Sequence, residues 1–366
     1  MLTRLLCLVL SIMTSATALA QAETSSLQDT LDAEREESRL IGLAAVILKD
    51  GQIVEQASSG LRKKKEDALL QPTDTFHIGS IGKSISATAI ARLVERGELD
   101  WDDRLIDLAP TFADMIDPGW HDVTLDLLLS HRGSLPAMGI KELFQADSLE
   151  EDLPQARRTI LKGMLESPPE TPFGEAYAYR NSGYALASLM VEEATGRLWE
   201  DIVREEVAAP LSLESFGFGP PQGGDAPWGH RKMFWMKFAM VPTGNSDNPP
   251  FMSAAGTMHM SLQDLARYGQ AHLTRDPVLL SLETYEHLHT PRLNDYGYGW
   301  IIYDHREWAG GQAIWHNGSN TMWYALLALA PEKDMVIAIA SNDGDIKKAD
   351  PAFGNILRWV GDAYPD

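Results

Sequence analysis

An apolar segment that leads into a helical pattern reads Phe76-His77-Ile78-Gly79-Ser80-Ile81-Gly82-Lys83. Ser80 and Lys83 are three residues apart at the start of that pattern, which places both side chains on one helix face. A serine hydroxyl becomes a nucleophile when a neighbour takes its proton, and a lysine can take it when burial destabilises the ammonium form. The spacing therefore predicts a nucleophile and its base. Taken alone, Ser-x-x-Lys is also common as a helix start with a solvated lysine.

A second polar segment, also entering a helical pattern, reads Ala178-Tyr179-Arg180-Asn181-Ser182-Gly183-Tyr184. Tyr179 can share proton transfer with Lys83, and the Asn181 amide can hold a substrate carbonyl. The alternative is a helix capped by Asn181, with Tyr179 as a packing residue.

A third segment, just ahead of a predicted strand, reads Trp315-His316-Asn317-Gly318-Ser319. It offers a polar side chain, a glycine and backbone N–H groups on a strand edge, where a substrate backbone can align. The alternative is a hairpin turn with one surface histidine.

Strand patterns lie at both ends of the chain, and helical patterns fill the middle. Two apolar-rich runs joined by the turn signal Asp50-Gly51 predict a hairpin over Leu43–Lys49 and Gln52–Ser58. Further strands are predicted at Tyr298–Tyr303, Met322–Leu329 and Val336–Ala340. Helices are predicted at Ser80–Arg96, Leu125–Leu129, Ala185–Glu193, Ser261–Leu273 and Phe353–Val360. We therefore predict an α+β fold in which both chain ends form one antiparallel sheet, with an all-α lobe inserted.

The order Ser-x-x-Lys, Tyr-x-Asn and His-x-Gly resembles the serine β-lactamase-related family, which includes class C β-lactamases, D-alanyl-D-alanine peptidases, D-aminopeptidases and esterases. Other stretches agree, among them Ala255-Gly256-Thr257 and Tyr296-Gly297-Tyr298-Gly299-Trp300. The resemblance covers roughly residues 43–342. It implies the fold of β-lactamases and penicillin-binding proteins and the hydrolysis of an ester or amide through an acyl-enzyme.

The resemblance also implies a role for each motif residue. Ser80 attacks the carbonyl and carries the acyl group, while Lys83 and Tyr179 exchange protons with it and with the leaving group. The backbone N–H groups of Ser80 and Ser319 form the oxyanion hole. The substrate-binding surface is assigned to Asn181, His316, Gly318 and Ser319.

Three positions depart from the family pattern. His131-Arg132-Gly133-Ser134 stands where His-Thr-Ser-Gly is usual, and Arg180 occupies the middle of Tyr-x-Asn. His316 stands where β-lactamases usually have lysine. Because a histidine is mostly uncharged at neutral pH, the sequence favours neutral esters or amides over β-lactams.

Other functions remain open at this point. A β-lactamase or a D-alanyl-D-alanine peptidase is the first alternative. A non-catalytic module of the same fold that binds cell-wall fragments is the second, although a pure binder has no need of Ser80, Lys83 and Tyr179 together.

The N-terminus has the layout of a secretory signal peptide. A positive start is followed by an apolar stretch over Leu5–Met13 and by the small-residue pattern Ala18-Leu19-Ala20. We predict a signal peptide over residues 1–20, cleavage near Ala20 and a periplasmic or secreted product. The remaining 21–366 are predicted to form one catalytic domain, with a sheet lobe at about 21–108 and 290–366 and a helical lobe at about 109–289.

Composition narrows the choice of partners. The formal net charge is −21, which makes nucleic acid a poor partner. No cofactor and no metal site is predicted: the one cysteine is Cys7, and His287-x-His289, interpreted as surface histidines, has no acidic partners in sequence. We expect no stable membrane span and a small-molecule ester, amide or peptide as substrate. The sequence leaves the oligomeric state open.

Two further features carry less information. Residues 233–240 are rich in methionine and aromatic side chains, and we expect them to be core of the helical lobe or, alternatively, one wall of an apolar acyl pocket. Arg62–Lys65 is a dense basic run that we interpret as a solvated turn.

Overall fold

The computed structural model describes residues 25–139, 152–223, 226–243 and 246–365. The predicted signal peptide over residues 1–20 lies outside the described residues.

The central element is a six-stranded antiparallel sheet. Its strands come from the two ends of the chain, as predicted, so the α+β fold class is confirmed. The strands in chain order are β1 Gly42–Lys49, β2 Gln52–Gly60, β3 Thr75–His77, β4 Gly217–Phe218, β5 His230–Met233, β6 Met236–Ala239, β7 Met258–Ser261, β8 Ile301–Arg306, β9 Gly311–Ser319, β10 Tyr324–Ala330 and β11 Met335–Ser341. The six-stranded sheet has the order β2-β1-β11-β10-β9-β8, a small sheet has the order β3-β7-β4, and β5 and β6 form a separate hairpin. Strands β4 to β7 belong to the inserted lobe, which is therefore not all-α, contrary to the prediction.

The three central strands are apolar at nearly every position because both faces of the sheet are covered. Alternate residues of β1 belong to different cores: Val46 packs into the large core, and its neighbour Ile47 into a smaller one on the other face. The predicted turn Asp50-Gly51 joins β1 to β2, with φ values of 51° and 75° that suit a tight hairpin.

Helices cover both faces of the sheet. In chain order they are α1 Leu27–Ser38, α2 Gly82–Glu95, α3 Leu105–Leu108, α4 Pro110–Ala113, α5 Leu125–Leu129, α6 Leu153–Met164, α7 Asn181–Thr195, α8 Trp199–Val203, α9 Ser253–Gly256, α10 Leu262–Thr274, α11 Leu282–His289 and α12 Ile346–Ala363. Short 3₁₀ turns lie at Gly79–Ile81, Pro118–Trp120, Pro250–Met252, Glu307–Ala309 and Pro331–Lys333, and a π-helical turn lies at Arg204–Ala208. No helix of the described ranges is long and apolar enough to cross a membrane.

Helices α1 and α12 pack on one face of the sheet, and α10 packs on the other. Gly269 of α10 lies so close to the sheet that a Cβ atom there would meet Val336 at 2.7 Å. Helix α10 therefore belongs with the sheet by its contacts, although the sequence places it in the helical lobe.

Three local predictions are corrected. The segment with His316 was expected ahead of a strand, but it lies on strand β9 itself, between β8 and β10. Residues 233–240 are not core: they form most of the exposed β5–β6 hairpin. His287 and His289 are half-buried ring-packing residues, His287 on Trp101 and His289 bonded to His272.

Candidate active site

Ser80 lies in the 3₁₀ turn Gly79–Ile81, between strand β3 and helix α2. Gly79 has a φ of 52°, and a Cβ atom on it would lie 2.2 Å from the Ser319 backbone nitrogen. A Cβ on Gly318 would lie 2.4 Å from the Ser80 backbone nitrogen. These two glycines allow the nucleophile turn to touch the end of β9, and the contact brings the backbone N–H groups of Ser80 and Ser319 together.

Lys83 is fully buried, with its Nζ 3.0 Å from Ser80 Oγ. The same nitrogen donates to Asn181 Oδ1 at 2.8 Å and to the Ala255 carbonyl at 2.6 Å. Among the described residues no carboxylate pairs with Lys83, and burial holds the pKa of its amine well below the ordinary value. A neutral amine has two N–H bonds and one lone pair, so the two oxygens leave the lone pair for the Ser80 hydroxyl.

Tyr179 lies two residues before the start of helix α7, and its side chain lines the cleft together with Ser80. Its ring centroid lies 4.8 Å from Lys83 Nζ. Desolvation in the cleft raises the pKa of Tyr179 above its ordinary value, although the residue is 36% exposed, so the phenol keeps its proton at neutral pH. Tyr179 is therefore a proton donor in the resting site, and Lys83 is the group able to accept a proton.

Asn181 was assigned to substrate binding, but its carbonyl oxygen accepts from Lys83 Nζ. The structure thus gives Asn181 a positioning contact with the base. The side-chain NH₂ group of Asn181 is still able to donate a hydrogen bond to a substrate.

His316 is buried on strand β9 and lines the cleft at Ser80. Its Nδ1–H donates to the Asn317 carbonyl at 2.5 Å, and its Nε2 lies 3.2 Å from the Tyr296 hydroxyl, which can donate to it. Burial, with the nearby Lys83 amine, lowers the pKa of His316 to about 3. His316 is therefore an uncharged ring at neutral pH, as the sequence predicted.

The cleft above Ser80 has a volume of about 330 Å³ and is largely aromatic. It is lined by Ser80, Tyr177, Tyr179, Tyr296, Ile301, His316, Asn317, Gly318, Ser319, Tyr324 and Ile346. No lysine or arginine of the described chain belongs to this lining. Arg180 lies between Tyr179 and Asn181 in the sequence, but its side chain donates to the carbonyls of Leu135 and Tyr179.

Two supporting histidines were missed as functional candidates. His77 Nδ1 accepts from the Gly79 N–H at 3.1 Å, and its Nε2 lies 2.7 Å from Asp247 in the buried interior. His77 therefore anchors the turn that carries Ser80. The position of His77 within the first motif is a sequence signal that could have marked it as a functional residue. Asp247 lies 170 residues further along the chain, and no motif marks it.

The second missed residue is His131, in the loop that departs from the family pattern. It is buried with its ring centroid 4.3 Å from that of Tyr179, and its Nδ1 accepts from the Arg180 N–H at 3.2 Å. His131 thus packs against Tyr179 and holds the backbone that follows it. Burial, reinforced by Lys83, lowers the pKa of His131 well below the ordinary histidine value.

Comparisons with known proteins identify the family of the chain. The family model described as Beta-lactamase matches residues 27–357. The chain belongs to the β-lactamase family. It is a serine hydrolase of that family, with penicillin-binding proteins, an esterase and an amidase among its relatives.

Individual relatives show how broad the family is. Penicillin-binding protein 4 of Amycolatopsis lactamdurans is 25% identical over 347 residues, which cover 87% of this chain and 84% of that protein. Esterase EstB of Burkholderia gladioli is 28% identical over 212 residues, and the match spans 54% of this chain and 52% of the esterase. The octameric penicillin-binding protein homologue from Pyrococcus abyssi superposes with a TM-score of 0.74 at 26% identity, over 86% of this chain and 72% of that one.

Proposed function

We propose that this protein is an exported hydrolase that cleaves a neutral ester or amide through an acyl-enzyme on Ser80. The observation that carries the proposal is the 3.0 Å approach of the buried Lys83 amine to Ser80 Oγ. An amine with a lowered pKa and no carboxylate partner among the described residues is suited to act as a general base.

Acylation follows from these contacts. Lys83 takes the hydroxyl proton as Ser80 Oγ forms a bond to the substrate carbonyl carbon. The resulting oxyanion is stabilised by the backbone N–H groups of Ser80 and Ser319. When the tetrahedral adduct collapses, Tyr179 gives its proton to the leaving group and recovers one from the Lys83 ammonium.

Deacylation repeats this route with water in place of the serine. Water loses a proton to Lys83 and attacks the acyl carbon, and the released proton returns to Ser80 Oγ. The enzyme then has the protons with which it began, so each cycle adds one water across the ester or amide bond.

The lining of the cleft supports neutral substrates. His316 is uncharged, and the described residues that line the cleft include no lysine or arginine to hold a carboxylate. The aromatic rings of Tyr177, Tyr179 and Tyr296 offer an apolar surface for an acyl or alcohol group. An esterase among the relatives agrees with this preference.

A carboxylate-bearing substrate is the second candidate. It is supported by the penicillin-binding protein whose match covers 87% of this chain. β-Lactams and D-amino-acid peptides present a carbonyl that the same nucleophile can attack.

A substrate panel tests the proposal. Wild type and Ser80→Ala are assayed with p-nitrophenyl acyl esters, D-amino-acid amides and a chromogenic cephalosporin. We expect ester or amide turnover by wild type and none by Ser80→Ala. Ester and amide hydrolysis that Ser80→Ala retains would contradict the proposal.

Export is tested separately. The support is the signal-peptide pattern over residues 1–20. We expect the mature protein outside the cytoplasm, with an N-terminus near Gln21 by Edman sequencing. Recovery of the protein in the cytoplasm with Met1 retained would contradict export.

A further inference from the structure

The β5–β6 hairpin has the most exposed large apolar side chains described in the protein. Phe234 and Trp235 form its turn and are 89% and 84% exposed. Met233, Met236 and Phe238 beside them are also exposed. Exposed aromatic and methionine side chains concentrated at one point usually mark a contact surface.

One face of the hairpin carries two lysines, and the other carries apolar side chains together with Arg231. The strand register pairs Lys232 with Lys237 and Met233 with Met236. The two lysines turn toward the body of the protein, where Lys237 reaches Asp343 at 2.5 Å and Lys232 reaches Asp345 at 2.7 Å. Because side chains alternate along a strand, the methionine pair and Phe238 lie on the other face.

The backbone conformation at Phe234 indicates that this side chain does not stabilise the fold. Phe234 has a φ of 55°, a left-handed conformation that glycine or asparagine adopts more easily than a bulky side chain. The exposed aromatic side chains of the turn gain little from packing in the folded state.

Basic residues surround the base of the hairpin, although the whole chain has a net charge of −21. The backbone N–H of Lys64 donates to His230 Nε2 at 3.0 Å, and its Nζ donates to the Lys237 carbonyl at 3.1 Å. The basic run of residues 62–65, predicted to be a solvated turn, is therefore packed on the hairpin through Lys64. Lys65 and Arg231 are exposed there, whereas Lys63 is paired with Glu66.

We propose that this hairpin inserts Phe234 and Trp235 into the interface of an anionic lipid bilayer, with Lys65 and Arg231 at the headgroups. Aromatic side chains are favoured at the boundary between lipid tails and water, and exposed cations are attracted to anionic headgroups. A stable protein interface buries about 1,200–2,000 Å², which is more than the five side chains of one hairpin tip provide. The size of the exposed apolar surface therefore favours a bilayer over a protein partner.

The hairpin is joined to the active site by a short path. A Cβ on Gly229 would lie 2.4 Å from the Trp323 ring, and the His230 N–H donates to the Met322 carbonyl at 3.0 Å. Met322 and Trp323 closely follow Ser319 in the chain. Each hairpin strand has four residues, so the tip of the hairpin lies about 13 Å from its base. Insertion of the tip therefore holds the Ser319 end of the cleft near the bilayer.

Vesicle binding tests the proposal in the full chain, so that the apolar N-terminal stretch is the same in every variant. Phe234→Ser/Trp235→Ser is compared with wild type and with Val278→Ser/Leu282→Ser, which removes two side chains that are 61% and 54% exposed elsewhere. We expect binding to phosphatidylglycerol-containing vesicles to fall about tenfold or more in the hairpin variant only. Hydrolysis of a soluble p-nitrophenyl ester should be unchanged, which separates this inference from the proposed function.

A fluorescent label reports insertion independently of the N-terminus. Cys7→Ser removes the only cysteine of the sequence, so Trp235→Cys or Val278→Cys can carry one polarity-sensitive dye. We expect a blue shift at position 235 with phosphatidylglycerol vesicles, a smaller one with pure phosphatidylcholine, and none at 278. Equal vesicle binding by all variants without a shift at 235 would overturn the proposal. So would a change from oligomer to monomer on Phe234→Ser/Trp235→Ser without any vesicle binding, because the hairpin would then be a contact between copies.

Discussion

Lys83 Nζ lies 3.0 Å from Ser80 Oγ, and its other two hydrogen bonds go to the uncharged oxygens of Asn181 and Ala255. Burial without a described counter-charge favours the neutral amine, and the two oxygens orient its lone pair toward the serine. The reactivity of Ser80 therefore depends on the protonation state of Lys83.

The pH dependence of turnover follows from this state. The amine is active when neutral, so kcat/KM for a neutral ester should rise with pH through the lowered pKa of Lys83 and then level off. Lys83→Ala should reduce kcat/KM by about 10²-fold or more and remove that step. Rates from pH 5 to 10 check this, and a wild-type profile that rises only near the ordinary lysine pKa would contradict it.

The same pKa shift predicts how stability changes with pH. Below the ordinary lysine pKa of 10.5 the unfolded chain binds a proton on Lys83 that the folded chain releases, so unfolding takes up a proton. The free energy of unfolding contributed by this group therefore rises with pH from the lowered pKa to 10.5. Lys83→Met should reduce the slope by up to about 1.4 kcal/mol per pH unit in that window. Urea unfolding of wild type and of Lys83→Met at pH 7.5 and 9 measures how the free energy of unfolding of each protein changes with pH. Identical changes in the two proteins would show that Lys83 is charged in the folded protein.

Tyr179→Phe separates the two proton carriers. Without its phenol, leaving groups that need a proton should depart more slowly, with kcat for alkyl esters or amides lower by about 10²–10⁴-fold. A p-nitrophenolate leaves without a proton, so the loss with p-nitrophenyl esters should be much smaller. Equal losses with both leaving groups would assign Tyr179 to binding or packing.

His77→Phe tests the anchoring of the nucleophile turn. It leaves the buried Gly79 N–H without its acceptor, which should lower the free energy of unfolding by about 1–3 kcal/mol. Because Ser80 then moves relative to Lys83, kcat should fall more than KM changes. His121→Phe, at a histidine bonded to the Ala113 carbonyl, is the control for loss of a ring elsewhere. A stability loss with unchanged kcat would make His77 purely structural.

His316→Lys tests the origin of specificity. The uncharged ring predicts that wild type turns over a p-nitrophenyl acyl ester faster than a chromogenic cephalosporin at pH 7. A lysine adds a cation beside the substrate and should raise the cephalosporin-to-ester ratio of kcat/KM about tenfold. His316→Gln, which stays neutral, should leave the ratio nearly unchanged. A wild-type cephalosporin rate above ~10⁵ M⁻¹s⁻¹ with a slower ester rate would make the protein a β-lactamase.

The sequence predicted the parts of the site that depend on local spacing. Ser80 and Lys83 are one helical turn apart, so their contact follows from the motif alone. The contacts of His77 with Asp247 and of Lys83 with the Ala255 carbonyl join segments about 170 residues apart, and no local pattern encodes them.

Strand β9 and the β5–β6 hairpin are the places where residue composition did not predict the structure. In β9 the polar residues His316 and Asn317 face the cleft and interrupt the apolar run by which a strand is recognised. In the hairpin, Phe234 and Trp235 replace the usual turn residues, and composition does not reveal that nothing in the described chain buries them.

Covalent labelling tests the central claim most directly. Wild type and Ser80→Ala are incubated with a fluorophosphonate probe and examined by intact-mass spectrometry and peptide mapping. The account predicts one probe mass on wild type, located at Ser80, with loss of ester turnover in proportion to labelling, and no adduct on Ser80→Ala. An adduct on a different serine that accompanies the loss of turnover, or full turnover by Ser80→Ala, would contradict an acyl-enzyme on Ser80.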